Sequence, residues 1–211
     1  MSLAASRAIP FSIQEVGYDH PDAQRLIAEV QAEYVKRYGG PDVSPVDVLQ
    51  FQPPLGRFAV GYLDTEPVAM GGWRRHDDAD PQTSWAVPAA EVKRMYVTDT
   101  ARGRGYARAV LAYLEDSARS AGVRWLLLET GRVQPEALAL YESSGYQRVP
   151  PFGYYAEGKL AIHLGKDLLA GQPPTGQPPT GQPPTGQPPT GQPPTGQPIA
   201  GRPADVQPSG E

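Results

Sequence analysis

The spacing of apolar residues divides the first part of the chain into a strand and a helix. Phe11 to Val16 alternates apolar with polar side chains, which is typical of a strand with one buried face. Pro21 to Tyr38 carries apolar residues at helical spacing, and two glycines end the pattern. The proline-rich segment 41–56 has no such period, so we expect a loop with a short helix in it.

The middle of the chain reads as strands around one helix. Phe58 to Leu63 and Val68 to Trp73 flank a turn-forming tetrapeptide, Asp-Thr-Glu-Pro, and so predict an antiparallel hairpin. A third strand-like run, Glu91 to Val97, precedes a helix-like run, Ala107 to Ala121, that has one apolar stripe. Trp125 to Leu128 is continuously apolar, as expected for a strand covered on both faces.

A final helix and two short strands complete the predicted domain. Pro135 suits the first turn of a helix and Gly145 suits its end. Gln147 to Val149 and Leu160 to Leu164 are strand-like. The pattern therefore predicts helices packed on a central mixed sheet.

The turn between the Glu91 strand and the following helix has the composition of an anion-binding loop. It reads Arg102-Gly103-Arg104-Gly105-Tyr106-Ala107. Its glycines allow positive φ and close approach of the main chain, and the helix N-terminus adds about half a positive charge. A dinucleotide fingerprint fails because Arg108 stands where a small residue must pack, and no nucleotide-triphosphate loop occurs.

The register that fits this turn is Arg/Gln-x-x-Gly-x-Gly/Ala, with Arg102, Gly105 and Ala107 in place, and here the chain resembles the GNAT N-acetyltransferase family. Glu91 to Val97 and Trp125 to Thr130 resemble the family's fourth and fifth strands, and Ala137 to Tyr146 resembles the following helix and turn. The resemblance implies an α/β fold with a twisted, mostly antiparallel sheet of about six to seven strands and helices on both faces.

The same resemblance implies acetyl-CoA as cosubstrate and a set of binding residues. Its pyrophosphate would lie on the 102–107 loop, where Arg102, Gly103, Arg104, Gly105, Tyr106 and Ala107 are the candidates. A backbone N–H of Met95, Tyr96 or Val97 would polarise the thioester carbonyl, provided that the fourth and fifth strands splay apart. The pantetheine amides would bind along that edge like an added strand.

Two side chains are candidates for proton transfer. Glu91 lies eleven positions before Arg102, the spacing between general base and phosphate motif in the family's histone-acetylating members. The alternative is an edge-strand carboxylate paired with Lys93 or Arg94. Tyr141 matches the tyrosine whose hydroxyl points at the coenzyme sulfur in many members, so it is the candidate general acid; its alternative role is packing.

Composition separates the chain into two parts. From Gly171 the motif Gly-Gln-Pro-Pro-Thr occurs five times, and such a segment has too few apolar residues to form a core. We therefore expect an acetyltransferase domain at 1–168 and a disordered tail at 169–211. The tail is interpreted as a tether, with a ligand for an aromatic groove as the alternative. The acidic run at 77–81 is interpreted as a solvated loop.

The same composition limits the chemistry. There are no cysteines, and the three histidines lack metal-ligand spacing, so neither a thiol nucleophile nor a metal is expected. The net charge of −4 argues against nucleic acid as partner. No signal peptide or membrane span is apparent, so we expect a cytoplasmic protein that is free of membranes.

The acceptor is the least specified part of the prediction. A small-molecule amine or an amino acid is the first choice, protein amines are the second, and a homodimer is possible. A non-catalytic acyl-CoA-binding sensor is the rival from another class. Substrate choice should lie in the Tyr34 helix, the 41–56 loop and the aromatic cluster at 151–155, which either walls an acceptor pocket or packs its loop.

Overall fold

The computed structural model describes residues 10–76 and 88–170. The acidic run at 77–81 and the repeats from Gly171 lie outside the described residues. The boundary between the domain and the tail therefore stays a prediction.

The described chain forms seven strands and three α-helices, with short 3-10 turns at Val48–Phe51 and Asp99–Ala101. In chain order the elements are β1 (Phe11–Val16), α1 (Pro21–Tyr38), β2 (Gly56–Leu63), β3 (Glu66–Arg75), β4 (Ala89–Val97), α2 (Tyr106–Ser120), β5 (Trp125–Gly131), α3 (Pro135–Ser143), β6 (Gln147–Arg148) and β7 (Ala161–Asp167). Every predicted element is present. Several strands are longer than predicted because main-chain pairing continues beyond the apolar run that identified them.

The strands form one sheet in the order β1-β2-β3-β4-β5-β7-β6. Among the strand pairs of the described residues, only β4–β5 is parallel, and the other five pairs are antiparallel. The helix α2 connects the parallel pair, as a crossover between parallel strands requires. The sheet is therefore mixed and mostly antiparallel, as predicted.

The two faces of the sheet carry different helices. On one face α1 buries Leu26 and Val30 against Phe58 and Met70 of the hairpin. On the other face the stripe of α2 that was predicted from its spacing, including Leu111 and Leu114, packs over β2, β3 and β4. Both faces are thus covered around β4, the strand that positions the site. Among the helices of the described residues, none is long and apolar enough to cross a membrane.

Candidate active site

The strands β4 and β5 separate in the middle of the sheet. Their parallel pairing runs from Ala89 with Trp125 to Val92 with Leu128 and goes no further within the described residues. The rest of β4 is paired on its β3 side only, through Met70 with Tyr96 and Ala69 with Val97. The predicted splay is present, and it leaves an open main-chain edge on β4 that includes Met95, Tyr96 and Val97.

A bulge lies at the start of that open edge. The register with β3 shifts between Met70 and Gly72, so that Arg94 and Met95 together stand opposite Gly71. Arg94 has φ 59°, the left-handed region that side chains other than glycine seldom occupy. A Cβ on Gly71 would lie 2.6 Å from the sulfur of Met95 and 3.1 Å from the Cδ1 of Leu114, so the Met95 side chain would have to move. The bulge therefore redirects β4 where it leaves β5.

The predicted phosphate loop has the backbone geometry of an anion site. Gly103 and Gly105 have φ of 75° and 84°, which glycine adopts without strain. Gly105 is the N-cap of α2 and supplies no side-chain capping bond, so the first-turn N–H groups depend on another partner. The geometry fits a pyrophosphate bound by the main chain at a helix N-terminus.

The arginines of this loop differ in their contacts. The Nε of Arg102 donates to the Val97 carbonyl at 3.1 Å, and its guanidinium pairs with Asp99 and with Glu33 of α1. It thus fastens the loop to β4 and α1. Arg104 is exposed and does not line the cavity below the loop, whereas Arg102 does.

Two cavities, each of about 490 Å³, open on either side of the separated strands. The first, called here the acceptor cavity, is bordered by the 41–43 segment, Tyr155 and the 158–161 segment. The second, called here the coenzyme cavity, is bordered by the phosphate loop, the start of α2 and α3. Five residues line both cavities: Tyr34, Met95, Gln134, Ala137 and Tyr141. The two cavities therefore adjoin beside the open edge of β4.

The aromatic cluster before β7 divides between the two roles considered from the sequence. Tyr155 lines the acceptor cavity. Phe152 is buried and packs with Leu127 and Ala89 in a small core cluster. One of these residues walls a pocket and the other packs its loop.

Glu91 is tied into ion pairs. It is 5% exposed, and its Oε2 accepts from the Nε and Nη2 of Arg74 at 3.2 and 3.0 Å. Its Oε1 lies 3.1 Å from the Nζ of Lys93. Glu91 stands on an inner strand of the sheet and does not line either cavity. Both of its oxygens are occupied by cations, which is unfavourable for a group that must accept a proton.

Glu129 is a second carboxylate that the sequence did not single out. It follows Leu128, the last β5 residue paired with β4, and it lines the acceptor cavity. Burial raises its pKa to about 7, the charges of Glu91 and Asp42 add to this, and Lys93 opposes it. The signal in the sequence was a lone acid ending the apolar run of β5. Its place beside the cavity depends on where β4 separates from β5, and no pattern in the sequence indicates that point.

Tyr141 occupies the boundary between the cavities. It is 6% exposed, and its ring packs edge-on against the ring of Tyr146, with 5.7 Å between the ring centroids. Tyr141 also lines both cavities. Burial raises the pKa of Tyr141, so the phenol stays protonated at neutral pH. Both roles considered for it from the sequence are compatible with this position.

The comparison with known proteins agrees with this geometry. The pattern of the Acetyltransferase (GNAT) family matches residues 23–146. The chain belongs to the GNAT acetyltransferase family. The enzyme is 30% identical over 137 residues to the uncharacterized N-acetyltransferase YjgM of Escherichia coli K12, a match that covers 62% of this chain and 78% of YjgM.

A second relative is more similar over a shorter stretch. An IAA acetyltransferase of Azospirillum brasilense is 46% identical over 78 residues, which is 37% of this chain and 51% of that relative, so the match spans about half its length. A solved acyl-CoA N-acyltransferase of Klebsiella pneumoniae has 26% identity and a TM-score of 0.60, covering 75% of this chain and 97% of its own. The enzyme is therefore an acyl-CoA N-acyltransferase of this fold.

Among the described residues, no group of three or more His, Cys, Asp or Glu side chains is arranged to hold a metal ion.

Proposed function

We propose that the enzyme transfers an acetyl group from acetyl-CoA to a primary amine of a small molecule or an amino acid, by direct attack within a ternary complex. The observation that carries this proposal is the pair of adjoining cavities beside the open edge of β4. The coenzyme cavity begins at the predicted phosphate loop, and the acceptor cavity contains Glu129, for which the described residues provide no ion pair. Two substrates would thus meet head to head. Acetyl-CoA supplies the activated acyl group and the thiolate leaving group.

The main chain is proposed to hold the coenzyme. The N–H groups of the Gly103 to Ala107 stretch, together with the N-terminus of α2, would hold its phosphates. Arg102 keeps that loop on β4, while Arg104 would add charge from solvent. The unpaired edge from Met95 to Val97 would receive the pantetheine amides and offer one N–H to the thioester carbonyl, a contact worth about 10² to 10³ in rate.

Glu129 is proposed as the general base. An alkyl ammonium of pKa about 10.4 is only about 0.1% neutral near pH 7.4, so its proton must be removed, directly or through a water. A carboxylate with a pKa of about 7 that borders the acceptor cavity suits this step better than one bound to two cations. Glu91 remains the alternative base, and its charge also helps to raise the pKa of Glu129.

Tyr141 is proposed as the general acid. It borders both cavities, and its raised pKa keeps the phenolic proton available for the departing sulfur. Replacing Tyr141 with phenylalanine would remove that proton and leave most of the packing with Tyr146 in place.

The size of the acceptor cavity favours a small acceptor. At about 490 Å³ it lies within the range of ordinary small-molecule sites. A protein amine is the second candidate for the acceptor. The alternative hypothesis is a sensor that binds acyl-CoA without turnover. Cytoplasmic location, independence of nucleic acid and membranes, and a homodimer stay predictions from the sequence.

The test is release of free thiol from acetyl-CoA against a panel of small amines, amino acids and peptide amines, with Tyr141→Phe as the comparison variant. We expect turnover with at least one small amine and a loss of about 10² in turnover for Tyr141→Phe, with binding of coenzyme A retained. Coenzyme binding without turnover on any acceptor would favour the sensor instead. Turnover on peptides alone would favour the protein acetyltransferase.

A further inference from the structure

Arg94 combines a left-handed backbone conformation with a buried, charged side chain. It is 7% exposed and donates a hydrogen bond from Nη1 to the Oδ2 of Asp42. Its Nε lies 3.4 Å from the hydroxyl oxygen of Tyr18. A left-handed, non-glycine residue persists only where its surroundings determine its conformation. Asp42 is the charged group that does so at the bulge.

Asp42 joins several other segments to this pair. Its Oδ1 accepts from the Ser44 N–H and from the Tyr155 hydroxyl, both at 2.8 Å. Its main-chain N–H donates to the Oε1 of Gln31 on α1 at 2.8 Å, and its carbonyl accepts from the Nε2 of Gln31 at 3.1 Å. One residue therefore connects the bulge, α1, the segment from 41 to 44 and the loop before β7.

The carboxylate of Asp42 is held in its charged form. Burial would raise its pKa, but the hydrogen bonds from Ser44, the charge of Arg94 and the Tyr155 hydroxyl together lower it. Both carboxylate oxygens accept hydrogen bonds that favour the charged form, so Asp42 is a weaker proton acceptor than an ordinary carboxylate. Asp42 lines the acceptor cavity, yet its bonds give it a different task from that of Glu129.

We propose that Asp42 and Arg94 form a positioning pair that sets the β4 bulge, and with it the N–H groups from Met95 to Val97, for acyl transfer. The proposal rests on the proposed function. The segments that Asp42 joins are walls of the acceptor cavity, while the bulge begins the edge assigned to the thioester. The pair would thus fix the distance between the acceptor amine and the acyl group. An error of about 1 Å in that distance can cost about 10² in rate.

The test compares Asp42→Asn with Tyr155→Phe and with Tyr154→Phe as matched control. Asp42→Asn keeps the shape of the side chain and removes the charge that Arg94 requires. We expect its kcat at saturating substrates to fall about 10- to 100-fold. The Kd for coenzyme A should rise by about threefold at most, because Asp42 does not line the coenzyme cavity and only the pantetheine arm depends on the β4 edge. Tyr155→Phe removes one bond to Asp42 and should cost about 3- to 10-fold. Tyr154 is 60% exposed, so Tyr154→Phe should match the wild-type enzyme.

A second variant separates the pair from the backbone shape. Glycine adopts φ 59° without strain, so Arg94→Gly can still form the bulge but loses the guanidinium contact with Asp42 that would hold it in place. Turnover is counted per coenzyme-binding site, well below the melting temperature, so that loss of folded protein does not mimic loss of rate. We expect Arg94→Gly to lose as much kcat as Asp42→Asn, and the double variant to lose no more than either one.

Three results would overturn the inference in different ways. If Asp42→Asn has the wild-type kcat per binding site, the pair is a structural contact without effect on acyl transfer. Wild-type kcat in Arg94→Gly, or fully additive losses in the double variant, would show that the two residues do not act together. A wild-type enzyme that binds coenzyme A and acetylates no amine would overturn the proposed function, and this inference with it.

Discussion

Glu91 and Glu129 illustrate how neighbours give the same side chain different chemistry. Glu91 is held between Arg74 and Lys93, so its negative charge is compensated. Burial destabilises the charged form of Glu129 more than the nearby charge of Lys93 stabilises it, so the pKa of Glu129 rises to about 7. At the residue scale, the carboxylate with fewer bound cations is therefore the one that we propose as the base.

The first prediction concerns the pH dependence of the two glutamates. Wild-type kcat/KM should rise with pH through about 7, since the base works unprotonated. Glu129→Gln should lower kcat/KM by about 10² to 10³ near pH 7.4 and regain part of it as pH approaches the pKa of the amine. Glu91→Gln should cost about tenfold or less and move the rise to lower pH, because Glu91 helps to raise the pKa of Glu129. Steady-state profiles from pH 6 to 10 measure both, and a larger loss in Glu91→Gln would restore Glu91 as the base.

The second prediction concerns stability. The folded pKa of Glu129 lies above the ordinary value, so the folded state binds its proton more tightly than the unfolded state, and the charged group destabilises the fold above the unfolded pKa of about 4.3. This loss grows as pH rises to about 7 and then levels off. Glu129→Gln should therefore raise the melting temperature at pH 8 by about 2 to 4 °C, equivalent to about 1 kcal/mol after allowance for its solvent contact, and by less at pH 5. Calorimetry at the two pH values measures it, and equal shifts at both would contradict the electrostatic cause.

At the element scale, the end of one strand and the start of one helix form the coenzyme side of the site. β4 leaves β5 after Val92, and α2 begins at Tyr106 with no side-chain cap. Each feature leaves main-chain donors without partners from the described part of the protein. Unpaired donors at adjoining places suit a ligand that carries amides and phosphates along its length.

The third prediction tests that helix start. Gly105→Glu should abolish binding of coenzyme A because an anionic side chain would repel the phosphates and because a φ of 84° strains any residue with a Cβ. Apart from its neighbours along the chain, no atom of the described residues lies within 4 Å of a Cβ built at Gly105, so the fold should persist. Titration calorimetry on the folded variant decides it, with Gly105→Ala as control for strain alone. Unchanged affinity in Gly105→Glu would place the phosphates elsewhere.

At the scale of the whole molecule, the described domain contains the site elements within one sheet and the helices on its two faces. The coenzyme cavity is lined by β4, the predicted phosphate loop and parts of all three helices. The acceptor cavity is lined by α1, the loops next to it, α3 and the facing parts of β4 and β5. The Gly-Gln-Pro-Pro-Thr repeats from Gly171 lack the large apolar side chains that form this core. We therefore expect catalysis to be independent of them.

The fourth prediction is that deleting residues 171–211 leaves specific activity within about twofold and the melting temperature within about 1 °C. A segment poor in apolar side chains contributes little burial energy, and Pro-rich chains act as extended spacers. Thiol-release kinetics and a thermal melt compare the full chain with the truncated one. A drop of several degrees, or a loss of activity, would show that the tail binds the domain or a partner subunit.

The sequence alone determined the elements, their order and the glycine-containing turn before α2, because apolar periodicity and glycine placement act over a few neighbouring residues. The stripe of α2 and the glycines at 103 and 105 are examples. The acceptor side depended on tertiary structure. Glu129 gains its pKa from residues of other segments, and Asp42 meets Arg94 across 52 positions of the chain. Burial and charge pairing arise from such distant contacts, so only the folded chain decides which carboxylate is buried, which is paired with a cation and which has a raised pKa.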